Sequence, residues 1–185
     1  MRKITAFIFT SLNGYYQGAD GNIDWHSNGS EEIEFAQTKL QEGKTLLFGR
    51  RTYELIRNFW VGPMAYELFP AVALRLNQTE KLVCSNTLKQ TEWNNTSILS
   101  DDIVSQIKKI KETEGENITL MGSGSLLKQL AEADLIDEYE IMIDPVILGS
   151  GKTIFEGINK ELNLQITDAR LFRESGTLVL YYKRG

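Results

Sequence analysis

Short apolar runs alternate with amphipathic helical stretches through the first two-thirds of the chain, and that alternation decides the class of fold. The runs are residues 3–10 (KITAFIFT), 44–48 (KTLLF), 80–84 (EKLVC), 96–99 (TSIL) and 117–121 (NITLM). Each is short and rich in β-forming side chains, the pattern of a strand covered on both faces. Between them Ser30 can cap a helix whose first turn carries Glu31 and Glu32. Ile33, Phe35, Ala36 and Leu40 form its apolar stripe, and Gly43 is its expected stop. Further helices are expected from about Thr52 to Arg57, over 66–77 with Pro70 starting or bending it, and over 102–112, where Ile103, Ile107 and Ile110 lie a turn apart. Another follows Gly124, with Leu126, Leu127 and Leu130 inward. Residues 137–147, 162–172 and 177–183 read as long β segments, the last two joined by a turn at Glu174-Ser175-Gly176. Alternation followed by hairpins predicts an α/β fold with a mostly parallel central sheet, flanking helices and a C-terminal antiparallel hairpin. No linker or repeat divides residues 1–185, which read as one domain.

Composition removes several functions. One histidine, His26, and one cysteine, Cys84, exclude Cys/His zinc sites, an intrachain disulfide and any triad not centred on His26. No metal is expected. The net charge of −5 disfavours nucleic acid and anionic membrane as partners. No apolar stretch approaches the roughly 18–20 residues of a membrane span. Residues Met1 to Ala6 read as the start of a strand and not as a signal peptide, so a cytoplasmic protein is the default expectation.

Ligands of open α/β sheets sit at the carboxyl ends of the strands. Four such ends here lead into polar or glycine-rich loops: Ser11-Leu12-Asn13-Gly14, Gly49-Arg50-Arg51-Thr52, Ser85-Asn86-Thr87 and Gly122-Ser123-Gly124-Ser125. Two of them feed helix N-termini, where free N–H groups and the helix dipole favour phosphate. Arg50 and Arg51 add forked cationic donors. Together the loops predict a site for a ligand with more than one phosphate. Residues 11–29, with Gly14, Gly18, Gly21 and Gly29, form a long loop of the kind that covers a site. Gly149-Ser150-Gly151-Lys152-Thr153 imitates the end of a phosphate-binding P-loop, but Val146 stands where that motif needs glycine. The dinucleotide fingerprint also fails, because Leu127 occupies the place of its third glycine.

These segments resemble the dihydrofolate reductase superfamily, and within it the branch of the riboflavin-biosynthesis reductases. The resemblance is carried by Ser11-Leu12-Asn13-Gly14, Asp24-Trp25, Leu47 to Glu54, Met121 to Leu126 and Asp144 to Gly151. It implies a dihydrofolate reductase-like three-layer fold and an NADPH-dependent reductase of a small pterin- or pyrimidine-like heterocycle. It further implies that Asn13 and Gly14 belong to the cofactor site. Gly49, Arg50, Arg51 and Thr52 would lie at the cofactor phosphates and Ser85 and Asn86 at the 2′-phosphate. Gly122, Ser123, Gly124, Ser125 and Leu126 would follow the pyrophosphate and nicotinamide. A cis Gly122–Ser123 bond is the matching expectation, and the loop from Asn13 to Trp25 would cover the nicotinamide.

The resemblance also asks for a carboxylate at the start of the first helix. Glu31, Glu32 and Glu34 compete, and Glu31, four residues before Phe35, best shares the inward face. The simpler reading makes all three solvated, dipole-complementing glutamates. Trp25, Phe7 and Phe35 can form an aromatic wall for a flat substrate, with Phe7 and Phe35 read first as core. His26 reads as a surface-loop histidine ahead of a proton donor, and Cys84 as an inert buried thiol. Lys152 is a candidate contact for a substrate phosphate. The β-rich C-terminal third offers a surface for a homodimer. The alternative function is a non-catalytic dinucleotide- or ligand-binding module on the same fold.

Overall fold

The computed structural model describes residues 1–26, 29–41 and 44–185. The elements run β1 (Ile4–Ser11), β2 (Tyr15–Gly18), α1 (Ser30–Gln41), β3 (Thr45–Gly49), α2 (Arg50–Trp60), α3 (Pro63–Leu68), α4 (Pro70–Gln78) and β4 (Lys81–Cys84). They continue as β5 (Thr96–Leu99), α5 (Ile103–Glu112), β6 (Ile118–Met121), α6 (Gly124–Glu132), β7 (Glu138–Asp144), β8 (Gly151–Thr153), β9 (Leu164–Leu171) and β10 (Leu178–Arg184). Eight strands form one sheet in the order β5-β4-β3-β6-β1-β7-β10-β9. The pairings from β5 through β7 are parallel, and β10 is antiparallel to both β7 and β9. This is the α/β architecture expected from the alternation, a mostly parallel central sheet closed by a C-terminal antiparallel hairpin.

Strand periodicity sorts the core into two layers. Along β1, Ile4, Ala6 and Ile8 join Ile107 of α5 and Leu126, Leu127 and Leu130 of α6. Phe7 and Phe9 point to the opposite layer, where Phe35 of α1 packs with Met142, Phe172 and Val179. On β3 and β4, Leu47 and Leu82 face the first layer, whereas Leu46, Phe48 and Val83 face Tyr53 of α2 and Val72 and Leu76 of α4. Each such fully buried side chain contributes about 1.5–3 kcal/mol through removal from water. No helix among the described residues is long and apolar enough to cross a membrane.

Several details differ from the sequence expectation. The helix expected over 52–57 extends over Arg50–Trp60. The segment 66–77 is divided between α3 and α4, opened by Pro63 and Pro70 at their first positions, where the missing N–H is harmless. Two short strands, β2 and β8, pair within the loops that read as irregular. At four and three residues, and half-exposed, they carry too little periodicity to be read. Ser30 lies inside α1, and its hydroxyl donates to Glu174 Oε2 at 2.6 Å. Ala36 is exposed, which narrows the apolar stripe of α1. Gly43 lies outside the described residues.

Candidate active site

The parallel registers bring the strand ends level. Gly49 pairs with Cys84, Cys84 with Leu99, Phe7 with Met121, and Ser11 with Asp144. A cleft of about 290 Å³ opens there, lined by Gly49, Arg50, Arg51, Ser85, Asn86, Ser123, Ser125 and Leu126, with Cys84, Thr87, Ile103 and Gln129. Three of the four expected loops therefore converge.

Two helix N-termini meet at this cleft. Gly49 caps α2 and Ser123 caps α6, and neither N-terminus has a side-chain hydrogen bond. Free N–H groups at both ends suit an anion. The two turns touch: a Cβ built on Gly49 would stand 2.3 Å from Ser123 Oγ. Among the described residues every peptide bond is trans, so the cis Gly122–Ser123 expectation is corrected. The chain turns instead through two consecutive left-handed residues, Gly122 (φ +64°) and Ser123 (φ +74°). For serine that conformation stores about 1–3 kcal/mol of strain. The Gly122 N–H donates to Phe7 O at 3.1 Å, which ties the turn to β1.

Charge in the cleft is uneven. Arg50 donates to both oxygens of Glu54, at 2.9 and 3.0 Å, and remains half-exposed. Arg51 is exposed and also lines a second cleft of about 440 Å³ with Lys152, Asp20 and Gln17. The Ser85 Oγ accepts from the N–H groups of Thr87 (3.2 Å) and Leu88 (2.9 Å), so it first holds its own turn. Asn86 Oδ1 accepts from Asp101 N–H at 2.8 Å. Burial pushes the Cys84 thiol up to about 12, as its reading as inert requires.

Other expected residues stand outside this cleft. Asn13 binds Leu148 through both ends of its amide and accepts from the Ser11 hydroxyl, linking the first loop to the one after β7. Gly14 takes a left-handed turn, φ +83°, and accepts from Ile154 N–H. Thr52, Gly122 and Gly124 adjoin the lining residues. Gly124 is covered by the Tyr16 ring, which would stand 2.6 Å from an added Cβ.

The second group of residues lies on the α1 side of the sheet. Phe7 and Phe35 are neighbours at 6.2 Å between centroids, and Trp25 meets Phe9 edge-on at 5.9 Å. Of the competing glutamates, Glu34 is exposed and Glu31 turns to the β9–β10 turn, where its Oε2 accepts from Glu174 N–H at 2.9 Å. Glu32 is the one that faces inward, 6% exposed. Both of its carboxylate oxygens are buried and have no hydrogen-bond partner among the described residues, and the same holds for Trp25 Nε1. The choice of Glu31 as the inward acid is thereby replaced by Glu32. Spacings of three and four residues both reach Phe35, and the turn that captures Glu31 decided between them.

The family model for the RibD C-terminal domain matches residues 2–178. The chain belongs to the RibD C-terminal domain family. It is 27% identical over 185 residues to the uncharacterized protein YyaP of Bacillus subtilis, covering 100% of this chain and 96% of that protein. A candidate riboflavin biosynthesis protein from Shewanella sp. PV-4 superposes with a TM-score of 0.76 at 21% identity, covering 99% of each chain. Dihydrofolate reductase from Enterococcus faecalis, complexed with NADP(H), superposes at 0.67 and 16% identity over 99% of this chain and 96% of that one. Both superpositions show a dihydrofolate reductase-like fold.

In this RibD C-terminal domain the sequence also undervalued His26. Its Nδ1 stands 2.9 Å from Asp144 Oδ2, and its ring stacks on Phe9 at 4.0 Å and 6°. Asp144 was visible only as the first residue of a segment carrying the resemblance, and nothing local predicts that a loop residue folds back onto it.

Proposed function

We propose that this chain is an NADPH-dependent reductase acting on a small, flat, pterin- or pyrimidine-like heterocycle. The observation that carries the reading is the Glu32 carboxylate, buried with both oxygens unpartnered one helical turn before Phe35, whose ring neighbours Phe7. An unpartnered buried carboxylate is costly, and a ligand with two adjacent N–H donors removes that cost. The 2-amino-4-oxo edge of a pterin or aminopyrimidine presents such a pair. Phe7, Phe35 and Trp25 suit the faces of such a ring.

The cleft at the strand ends fits a phosphorylated dinucleotide. Its uncapped helix N-termini, the backbone approach that the Gly49–Ser123 contact enforces and the two arginines are a donor set for several phosphates. The N–H groups at the starts of α2 and α6 would hold the pyrophosphate, and Arg50 and Arg51 the further charge. NADPH bound there supplies a hydride from its nicotinamide. Glu32 orients the heterocycle, and the loop from Asn13 to Trp25, tied down through β2 and β8, keeps water out.

NADPH oxidation, followed by absorbance against a panel of pterins and of free and phosphorylated aminopyrimidines, tests the reading. Turnover of one panel member supports it. Tight NADPH binding with no turnover across the panel marks a non-catalytic dinucleotide-binding module. Preference for phosphorylated pyrimidines assigns the second cleft, with Arg51 and Lys152, to the substrate phosphate.

A further inference from the structure

Tyr16 reaches the strand-end cleft from the β2–β8 ribbon. The pairing of the two strands shifts register beside it: Tyr15 stands opposite Thr153 and Gln17 opposite Lys152. Tyr16 is therefore an extra residue in the ladder. A bulge of this kind re-aims the side chain of its extra residue and is over-represented next to active sites.

Here the ring is aimed at α6. It packs on the core layer that α6 helps to form and covers Gly124, the first residue of that helix. A Cβ built on Gly124 would stand 2.6 Å from two ring carbons and 2.7 Å from the phenol oxygen, so the approach needs glycine at 124. Ser123 and Ser125, on either side of Gly124, both line the strand-end cleft. Gln17 and Gly18, which follow Tyr16 on β2, line the second cleft. Tyr16 thus sits where the two clefts meet. Arg51 lines both, and its charge acts on the Tyr16 hydroxyl.

The hydroxyl hydrogen-bonds to no group among the described residues. A half-buried phenol normally finds a partner for its O–H. Burial first, and then the Glu156 carboxylate, raise its pKa above the ordinary 10 against the opposing pull of Arg51. It is therefore an O–H donor at neutral pH. A donor without a protein acceptor, set beside the first N–H groups of a helix and a guanidinium, is complementary to an anion.

We propose that Tyr16 is a cofactor-binding residue whose hydroxyl donates a hydrogen bond to the pyrophosphate at the start of α6; the proposal rests on the NADPH reading above. Three elements then supply donors to one anion: β2 its phenol, α6 its backbone and α2 its Arg51 guanidinium. Because Tyr16 is carried by the β2–β8 ribbon, the same bond fastens the ribbon across the cleft when the cofactor is bound.

Tyr16→Phe keeps the ring on Gly124 and removes only the donor. The full chain and this variant are titrated with NADPH, with inorganic pyrophosphate and with adenosine 2′-monophosphate, which lacks the pyrophosphate. The Kd for NADPH is expected to rise about tenfold, the scale of a hydrogen bond to a charged group, and that for pyrophosphate by a similar factor. Adenosine 2′-monophosphate should change less than about twofold. Since the hydroxyl holds no protein group, Tm of the ligand-free chain is expected to stay the same, whereas a structural role would lower it. Unchanged NADPH affinity in Tyr16→Phe overturns the proposal and leaves the cofactor reading standing. Equal weakening of all three ligands, or a weakening accompanied by a lower ligand-free Tm, does the same. A wild-type chain that does not bind NADPH rejects the cofactor reading, and the Tyr16 contact with it.

Discussion

Gly49 and Ser123 come from turns after different strands, yet a methyl group on Gly49 would meet Ser123 Oγ at 2.3 Å and its Cβ at 2.7 Å. The contact joins the start of α2 to the start of α6 and sets the floor of the proposed cofactor cleft. Gly49→Ala is expected to destabilise the chain by about 1–3 kcal/mol, the usual cost of overpacking. It should also weaken NADPH binding. Since the clash involves both atoms of the serine side chain, Ser123→Gly in the same chain should restore most of the loss, and Ser123→Ala less. Thermal unfolding and NADPH titration of the single and double variants check this.

Arg51 and Arg50 are neighbours in sequence with different surroundings. Arg50 is engaged by Glu54 within its own helix, and Arg51 faces both clefts. Arg51→Glu should raise the Kd for NADPH at least tenfold, about 1.4 kcal/mol, and flatten its salt dependence. Arg50→Glu should have a smaller effect at equal salt, because its charge is partly answered already. Equal affinities for wild type and both variants would falsify the cofactor placement.

Glu32 sets stability against binding. A buried carboxylate without partners costs free energy in the unliganded chain, so Glu32→Met is expected to raise stability by about 1–2 kcal/mol. The same change should weaken pterin binding by ten- to a hundredfold, whereas Glu31→Gln should alter it less than about threefold. Calorimetry without ligand and pterin fluorescence separate the two effects. A destabilised Glu32→Met chain with unchanged pterin affinity would contradict the assignment.

Lys81 should leave a mark on alkaline stability. It is fully buried, its Nζ donates to Leu76 O at 2.8 Å and stands 4.8 Å from the Trp93 ring centre, and burial lowers it to about 8. The unfolded chain then holds this proton more tightly than the folded one. Its contribution is present above the unfolded value near 10.5 and is lost as pH falls through about 8. The stability of wild type relative to Lys81→Met is expected to rise by on the order of 3 kcal/mol between those limits. Comparing the two chains removes the opposing effects of Cys84 and Tyr139, whose raised values reduce stability at high pH. Denaturant titrations at several pH values measure the difference, and a flat difference refutes the burial argument.

The strand–helix alternation was legible because period and composition are local properties. Apolar runs such as KTLLF leave few alternatives to a buried strand, and glycines and arginines after such runs mark a phosphate site wherever the strand ends align. The resemblance was legible for the same reason, since it rests on contiguous motifs. β2 and β8 were hidden because strands of four and three residues are defined by each other and not by their own sequence.

The sequence by itself determined the parallel sheet, the loops at its carboxyl edge and the presence of acids at the start of α1. Only the tertiary structure decided which acid faces inward, that the Gly122–Ser123 turn is built from two left-handed residues, and that His26 reaches Asp144. Each of those outcomes depends on contacts between residues far apart in the chain. Glu31 is drawn outward by Glu174, and His26 is drawn inward by Phe9 and a carboxylate 118 positions away. Helical phase allows both glutamates and loop composition allows both fates of the histidine, so packing makes the selection.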